Sequence, residues 1–345
     1  MTFKNILIVG GGAIGGITGA VLTEQGENVV VLDADEKHVR RMQGGLEISG
    51  LRQMKIPVNA MLPDEFLRQA GNQTSDIVLL SVKGLHTGKA LTTVLPAVSK
   101  DAPVVSMQNG INEETIAEIV GMERTIGCVI LWGGTNQGPG QLIQTAEGGF
   151  ILGQWPKGET QRVQDVAQLL SKVAPAEVSD NIIGHRWSKL LITASMTGVG
   201  TISGLTYGGI LDYEQARLVA LTVVTETYEV GKALGVDFAE LVKGVEPSIF
   251  AIHSRDEFNA ASKLMSYGFK DSRAIKPSML QDIEKGRKTE VDLVNGYVVK
   301  KGNETSIQVP VNELVTKMIK QIEGGEKSPN LENLKEFENI IVYLK

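Results

Sequence analysis

The chain has 345 residues, 42% hydrophobic and 21% charged, an ordinary composition for a water-soluble protein and enough for about two domains with separate cores. A net charge of −6 argues against a nucleic-acid or anionic-membrane partner, and no 18-residue apolar stretch is present to span a bilayer. The single cysteine, Cys128, rules out an internal disulfide, and with no charged, apolar and small-residue leader before the first motif the expected location is cytoplasmic.

In chain order, Ile6–Val9 reads as a buried parallel strand running into Gly10-x-Gly12-x-x-Gly15, with a helix over Ala13–Gln25. This strand, glycine turn and helix form the context that makes the pattern a dinucleotide-binding fingerprint. Gly10 permits the tight turn, Gly12 lets a pyrophosphate approach the backbone, and Gly15 lets helix and strand pack closely. The helix N-terminus, at Ala13 and Ile14, offers N–H groups and a positive dipole end to the phosphates.

A second strand, Asn28–Leu32, ends at Asp33, 23 residues after Gly10, where this fold places an acid for the ribose hydroxyls. Asp33 could equally cap the next helix, Glu36–Met42, although Asp35 is also placed to do so. Residues 46–62 have no clear period and suit short strands or loop. Asp76–Val82 is another buried strand with Lys83 at its carboxyl end, the edge where open α/β sheets bind ligands; an exposed loop lysine is the other reading. After a helix over Thr87–Val98, strand Val104–Met107 delivers Gln108-Asn109-Gly110 to the same edge, so Asn109 points its amide at the site or merely makes an Asn-Gly turn.

Strand Thr125–Leu131 precedes a polar glycine-rich loop, Gly133–Gly140. The alternating segments Gln141–Thr145 and Gly149–Trp155 suggest an antiparallel hairpin, and a helix over Thr160–Val173 with a short strand near Glu177–Val178 follows. Alternating β and α units over residues 1–180 predict an α/β fold, a Rossmann-type doubly wound parallel sheet. Residues 181–345 change character and predict an all-helical second domain with a ligand cleft between the two. Long helices are expected over Tyr213–Leu234, Pro277–Lys300 and Pro310–Ile322. The apolar stripe on the last of these, Val311, Leu314, Val315, Met318 and Ile319, fits either core or a dimer seam.

His38, His86, His185 and His253 fit no metal or nucleophile spacing, so no metal is expected. A dinucleotide fold without a metal cluster points to hydride transfer to a carbonyl, which requires a proton donor for the developing alkoxide. Lys189, between Trp187 and Leu190–Ile192, is the candidate: burial of its head would lower its pKa, whereas a snorkelling surface lysine would not be tuned.

These motifs together resemble the ketopantoate reductase family over most of the chain: the glycine turn, Ser81-Val82-Lys83, Gln108-Asn109-Gly110, Trp187-Ser188-Lys189-Leu190, and Ser278-Met279-Leu280-Gln281-Asp282 with Glu290 and Asn295-Gly296. The resemblance implies Lys189 as proton donor, Asn109 touching nicotinamide and substrate, and Lys83, Gly133 and Glu290 at the cofactor. It also implies Ser278 on the substrate carboxylate. If Pro277–Lys300 is one straight helix, Ser278 and Glu290 lie about 18 Å apart and cannot grip one small acid together.

Two departures from the family stand out. Thr193 and Thr197 occupy positions where members typically carry asparagine, roughly 40° and 80° around a regular helix from Lys189. Asp33-Ala34 replaces a common Ala-Arg pair. Residues 251–275 also look longer than the usual connection and suit a flap.

The expectation is therefore an NAD(P)H-dependent 2-oxo acid reductase, NADH preferred and NADPH possible; the resemblance implies an (R)-2-hydroxy acid product, ketopantoate as the default substrate, and a homodimer. The alternatives are a D-2-hydroxy acid dehydrogenase acting on branched or aromatic 2-oxo acids, and a dinucleotide-binding sensor without turnover.

Overall fold

The structure, a computed structural model, describes residues 3–70, 74–241 and 243–341. It divides into two compact units, Met1–Arg186 and Trp187–Lys345. The division falls within a helix, Ile182–Ile192, a few residues beyond the change of character at 180.

The strands of the first unit are β1 (Ile6–Val9), β2 (Val29–Leu32), β3 (Leu46–Gly50), β4 (Met54–Ile56), β5 (Ala60–Met61), β6 (Ile77–Leu80), β7 (Val104–Ser106), β8 (Thr125–Ile130), β9 (Gly133–Gly138), β10 (Gln141–Ala146), β11 (Phe150–Gln154) and β12 (Ala176–Val178). The main sheet runs β12-β11-β8-β7-β6-β1-β2-β5. From β5 to β8 every pairing is parallel, and these six strands have the doubly wound dinucleotide-fold order. The strands are apolar at consecutive positions because both faces are covered. Ile6, Ile8, Val29, Val31 and Leu79 enter one core with α1 (Ala13–Glu24), α2 (Glu36–Gly45) and, further along the sheet, helix Gln161–Leu170. Leu7, Val9, Leu32, Val78 and Leu80 enter the other with α3 (Pro63–Ala70), α4 (Thr87–Val94) and α5 (Glu113–Val120).

The expected hairpin of Gln141–Thr145 and Gly149–Trp155 does not form. β10 pairs with β9 and β3 in a separate four-stranded sheet, order β4-β3-β10-β9, while β11 joins the main sheet antiparallel to β8. Residues 133–140 are accordingly mostly strand β9 rather than loop. Alternation marks a half-buried strand but not its partner, and here the chain changes sheets at Gly148-Gly149. Gly148, at φ +157°, passes so close to β8 that a Cβ would stand 2.4 Å from the Leu131 carbonyl oxygen.

With Gln161–Leu170 as α6, the following helices are α7 (Ile182–Ile192), α8 (Gly198–Ser203), α9 (Tyr207–Asp212), α10 (Glu214–Ala233), α11 (Arg255–Gly268), α12 (Ser278–Glu284), α13 (Asn295–Thr305) and α14 (Pro310–Glu323). Trp187 onward contains no strand among the described residues. α7 runs through a π turn, Thr193–Thr197, directly into α8. α10 is the helix the unit packs around, with residues buried on every side of its middle turns. The stripe on α14 is core: Val311, Val315, Met318 and Ile319 are buried within this one chain. The 251–275 segment is largely helix, and α11 buries Phe258, Ala261 and Met265.

Pro277–Lys300 is not one helix. α12 stops at Glu284, Gly286 takes φ +62°, and α13 starts at Asn295 after a 3-10 turn over Val291–Leu293. The run Glu284-Lys285-Gly286-Arg287-Lys288 lacks an apolar side to bury, and a left-handed glycine just past the last turn is a common helix stop. The straight-helix separation of Ser278 and Glu290 therefore does not apply. Among the described residues no helix is long and apolar enough to cross a membrane.

Candidate active site

Four neighbouring parallel strands end in one row, since Leu32 pairs with Val9, Val9 with Leu80 and Leu80 with Ser106. The segments that follow therefore emerge side by side: Asp33, Gly10–Gly12, Ser81–Lys83 and Met107–Asn109. β1 leads to α1 on one face and β6 to α4 on the other, so this edge holds the switch-point crevice where open α/β sheets bind ligands.

The glycines of the turn answer to different constraints. At Gly10, φ is +108° and a Cβ would lie 2.6 Å from the Val82 nitrogen. At Gly15 it would lie 2.0 Å from the Gly10 carbonyl oxygen and 2.2 Å from Ser81 Oγ. At Gly12, the N-cap of α1, nothing stands within 4 Å. The protein's own packing needs no glycine there, but an anion approaching the helix N-terminus does, and this fits a dinucleotide pyrophosphate over Gly12, Ala13 and Ile14. Gly133, in β9, lies in the second sheet; beside it, a Cβ on Gly134 would be 3.3 Å from the Ala13 Cβ.

Asp33 Oδ2 accepts the Gly11 N–H and Oδ1 the Asp35 N–H, both at 2.9 Å. Asp35, not Asp33, caps α2 through the His38 N–H at 3.1 Å. Asp33 thus stays at the edge with acceptor capacity on both oxygens. His38 is buried and has a job that its sequence setting did not signal. Its Nδ1 accepts the Gly140 N–H at 2.9 Å, so Nε2 carries the hydrogen and donates it to the Gly11 carbonyl at 2.7 Å. The imidazole pins the glycine turn to the turn between β9 and β10.

Beyond Asp33, a concavity is lined by Asp35, Glu36, Lys37, Arg40 and Arg41. Arg40 is engaged by Glu65 at 2.6 Å and Glu36 at 3.5 Å. The hydrogen bond between Arg40 and Glu65 raises the guanidinium above its ordinary value and lowers the carboxyl below its own.

At the other end of the row, Lys83 is exposed and starts a 3-10 turn over Gly84–His86. The buried Gln108 donates its amide to the Val82 carbonyl and to Thr87 Oγ1, both at 2.8 Å, and Asn112 donates to the Asn109 carbonyl at 2.7 Å. Asn109 itself is exposed, held by its neighbours rather than by its side chain. Arg186, which the sequence reading passed over, completes this support. It is buried, donates to the carbonyls of Gln108 (2.8 Å) and Cys128 (3.1 Å) and to Ser106 Oγ (3.3 Å), and pairs with buried Glu113 at 2.6 Å. Two buried opposite charges at the carboxyl ends of β7 and β8 are expensive to separate, so the Gln108-Asn109 segment is firmly placed.

In the second unit, Lys189 is half-buried on α7, and Thr193 and Thr197 follow on the π turn. The regular-helix angles therefore fail at Thr197. A π turn takes up an additional residue, which sets Thr197 back by roughly 100°. Thr193 donates its hydroxyl to the Lys189 carbonyl at 3.1 Å. Thr197 is buried and bonded to the Tyr207 hydroxyl, whose pKa burial raises and this bond lowers. Ser278 is half-buried at the first position of α12, after Pro277, whose ring fills the space a side chain on Gly200 would need. Glu290 is buried on a different element, at the start of the 3-10 turn before α13.

Comparison with known proteins agrees with this architecture. The ketopantoate reductase PanE/ApbA family model matches residues 6–157, and the model of that family's C-terminal part matches residues 181–323. The 2-dehydropantoate 2-reductase of Pyrococcus abyssi is 30% identical over 93% of this chain and 98% of its own. The PanE/ApbA family ketopantoate reductase of Ralstonia eutropha superimposes with a TM-score of 0.76 at 25% identity, over 93% of this chain and 99% of the other. D-mandelate dehydrogenase, in its ternary structure with NADH and anilino(oxo)acetate, shares the fold, with a TM-score of 0.80 at 23% identity over 93% and 99%. The chain belongs to the ketopantoate reductase family of oxidoreductases.

Proposed function

We propose that the protein reduces ketopantoate to (R)-pantoate with a nicotinamide dinucleotide, NADH in preference to NADPH. The observation that carries this reading is the row of strand ends. It sets a glycine turn open at Gly12 beside Asp33, Lys83 and Asn109. Gly10, Gly12, Ala13, Ile14 and Gly15 would hold the pyrophosphate, with Asp33 on the adenosine ribose and Lys83, Asn109, Gly133 and Glu290 along the rest of the cofactor. When bound, the reduced nicotinamide supplies the hydride that C2 of the oxo acid receives.

The chain's own residues supply the rest. Lys189 protonates the carbonyl oxygen as negative charge builds there, and its ammonium stabilises that charge beforehand. Ser278 holds the substrate carboxylate, and Asn109 orients the reacting carbonyl. Thr193 and Thr197 border the side chain of the acid. Thr193 already uses its hydrogen on the Lys189 carbonyl, and Thr197, which shares its hydroxyl with Tyr207, has at most one hydrogen where an asparagine amide has two. This favours a second reading: apolar 2-oxo acids such as 2-oxoisovalerate rival ketopantoate, because a site poorer in donors for the hydroxyl rejects analogues lacking it less strongly.

The NADH preference rests on Asp33, which would repel a 2′-phosphate, and on Ala34, which offers it no cation. Arg40, one of the three basic residues of α2 beside this position with Lys37 and Arg41, is engaged by Glu65. A cytoplasmic homodimer is part of the proposal, and sedimentation of the purified chain tests the assembly. The test of function is the loss of nicotinamide absorbance with a panel of 2-oxo acids, each with NADH and with NADPH. Turnover of ketopantoate supports the reading, and a cofactor-binding protein with no turnover on any of them refutes it.

A further inference from the structure

The Asn295-Gly296 motif has no role in the reaction as described, yet Asn295 is fully buried and reaches the π turn. Its Nδ2 donates to the carbonyl of Ala194, the second residue of Thr193–Thr197, at 3.1 Å, and to Asn312 Oδ1 at 3.0 Å. Asn312, also fully buried, donates its Nδ2 to Glu226 Oε2 at 2.8 Å. Glu226 on α10 further accepts the backbone N–H groups of Val311 and Asn312 at 2.8 Å each, in the first turn of α14. α14 has no side-chain cap of its own, so Glu226 satisfies two of its open donors and places negative charge at the positive end of the helix.

The chain of bonds has a fixed sense. A carboxylate only accepts, so Asn312 must turn its NH2 toward Glu226 and its Oδ1 toward Asn295. Asn295 must then present its own NH2, and both hydrogens are used, one on Asn312 and one on the Ala194 carbonyl. Gly198, just after the π turn, makes room: a Cβ there would sit 2.9 Å from Asn295 Oδ1. A π turn is an irregularity that an α-helix relieves when it can, and a side-chain donor set against one of its carbonyls, here that of Ala194, favours keeping it.

We propose that Asn295, oriented by Asn312 and Glu226, is a positioning residue for the substrate pocket, holding the π turn that sets Thr193 and Thr197 relative to Lys189. This rests on the reading of Lys189 and the two threonines given above. Asn295→Leu keeps the approximate volume and removes both bonds. Assayed as the full chain at pH 8, it is expected to raise KM for ketopantoate and 2-oxoisovalerate at least about tenfold and to lower kcat. KM for the cofactor should stay within about twofold. Glu226→Gln serves if Asn295→Leu does not fold. It keeps only one of the two acceptor oxygens, so an NH2 is set against a backbone N–H of α14 and the end of the relay is loosened, and the same split is expected at about threefold. A variant that loses thermal stability but keeps KM and kcat for both acids has a merely structural residue, and the proposal fails. Lys189→Ala is run alongside. If it keeps near-normal kcat, the reading of the site fails and takes the proposal with it. If it loses a hundredfold while Asn295→Leu and Glu226→Gln change no kinetic constant, the proposal alone fails.

Discussion

The two units make their contributions in different materials. In Met1–Arg186 the candidate site is mostly backbone: a glycine turn, strand ends brought into one row by ladder register, and a helix N-terminus. In Trp187–Lys345 the proposed groups are side chains on an irregular helix, whose π turn accepts a bond from the buried relay of Glu226, Asn312 and Asn295. A backbone site tolerates little change at the few positions where chains nearly touch and much change elsewhere. A side-chain site depends on groups far from it in sequence, and on their protonation.

The sharpest test of that contrast pairs two glycines three residues apart. Gly15→Ala drives a Cβ into the Gly10 carbonyl and Ser81 Oγ, and should destabilise the first unit by about 3 kcal/mol or more, lowering its Tm by roughly 10 °C. Gly12→Ala meets nothing within 4 Å, so Tm should hold while cofactor affinity falls about tenfold or more. Equal loss of Tm in both variants would mean that Gly12 is a packing residue too.

The second unit should respond to pH through Glu226. Burial pushes its carboxyl up to about 7, against the pull of its N–H donors from Val311 and Asn312 and with some help from the charge of Glu313. Below the ordinary carboxyl range both folded and unfolded chains hold the proton. Between there and about 7 only the folded chain does, so stability falls as pH rises through this window, by about 3 kcal/mol in all. Thermal melts from pH 4.5 to 8 should show the wild type losing stability relative to Glu226→Gln, and parallel curves would contradict the assignment.

Catalysis separates the units next. Lys189→Ala should lower kcat at least about a hundredfold, or about 2.7 kcal/mol, with cofactor affinity little changed. Near-normal kcat would move proton donation elsewhere. The smallest expected effect belongs to the first unit: NADH should be favoured over NADPH by about tenfold, or 1.4 kcal/mol, and exchanging Asp33-Ala34 for Ala-Arg should erase or reverse it. Steady-state kinetics with each cofactor decide the matter. A wild type that prefers NADPH would leave Asp33 as a support for the glycine turn through Gly11 and for Asp35.

Where the sequence reading failed, the cause was mostly long-range. The segments around β10 and β11 alternate correctly but belong to different sheets, which only Gly148 and its close passage by Leu131 reveal. Thr197 was placed by a uniform helix, and the π turn that displaces it accepts a hydrogen bond from Asn295, a hundred residues away in the chain. One failure was local: Ser278 and Glu290 seemed to share a helix, although the run 284–288 offers no apolar side and Gly286 takes a left-handed φ there. His38 and Arg186 gave no local sign of their work, since each acts on a backbone group more than 25 residues away.

By itself the sequence determined the dinucleotide fold, the glycine turn and its neighbours at the strand ends, and the helix that carries Lys189. Each of these is written within a dozen consecutive residues, in hydrophobic period and in glycines that backbone geometry demands. Tertiary structure alone decided which strands share a sheet, where α7 passes into a π turn, and which buried polar groups meet. Those outcomes depend on satisfying every buried donor and acceptor at once, and no local window of residues contains both halves of such a bond.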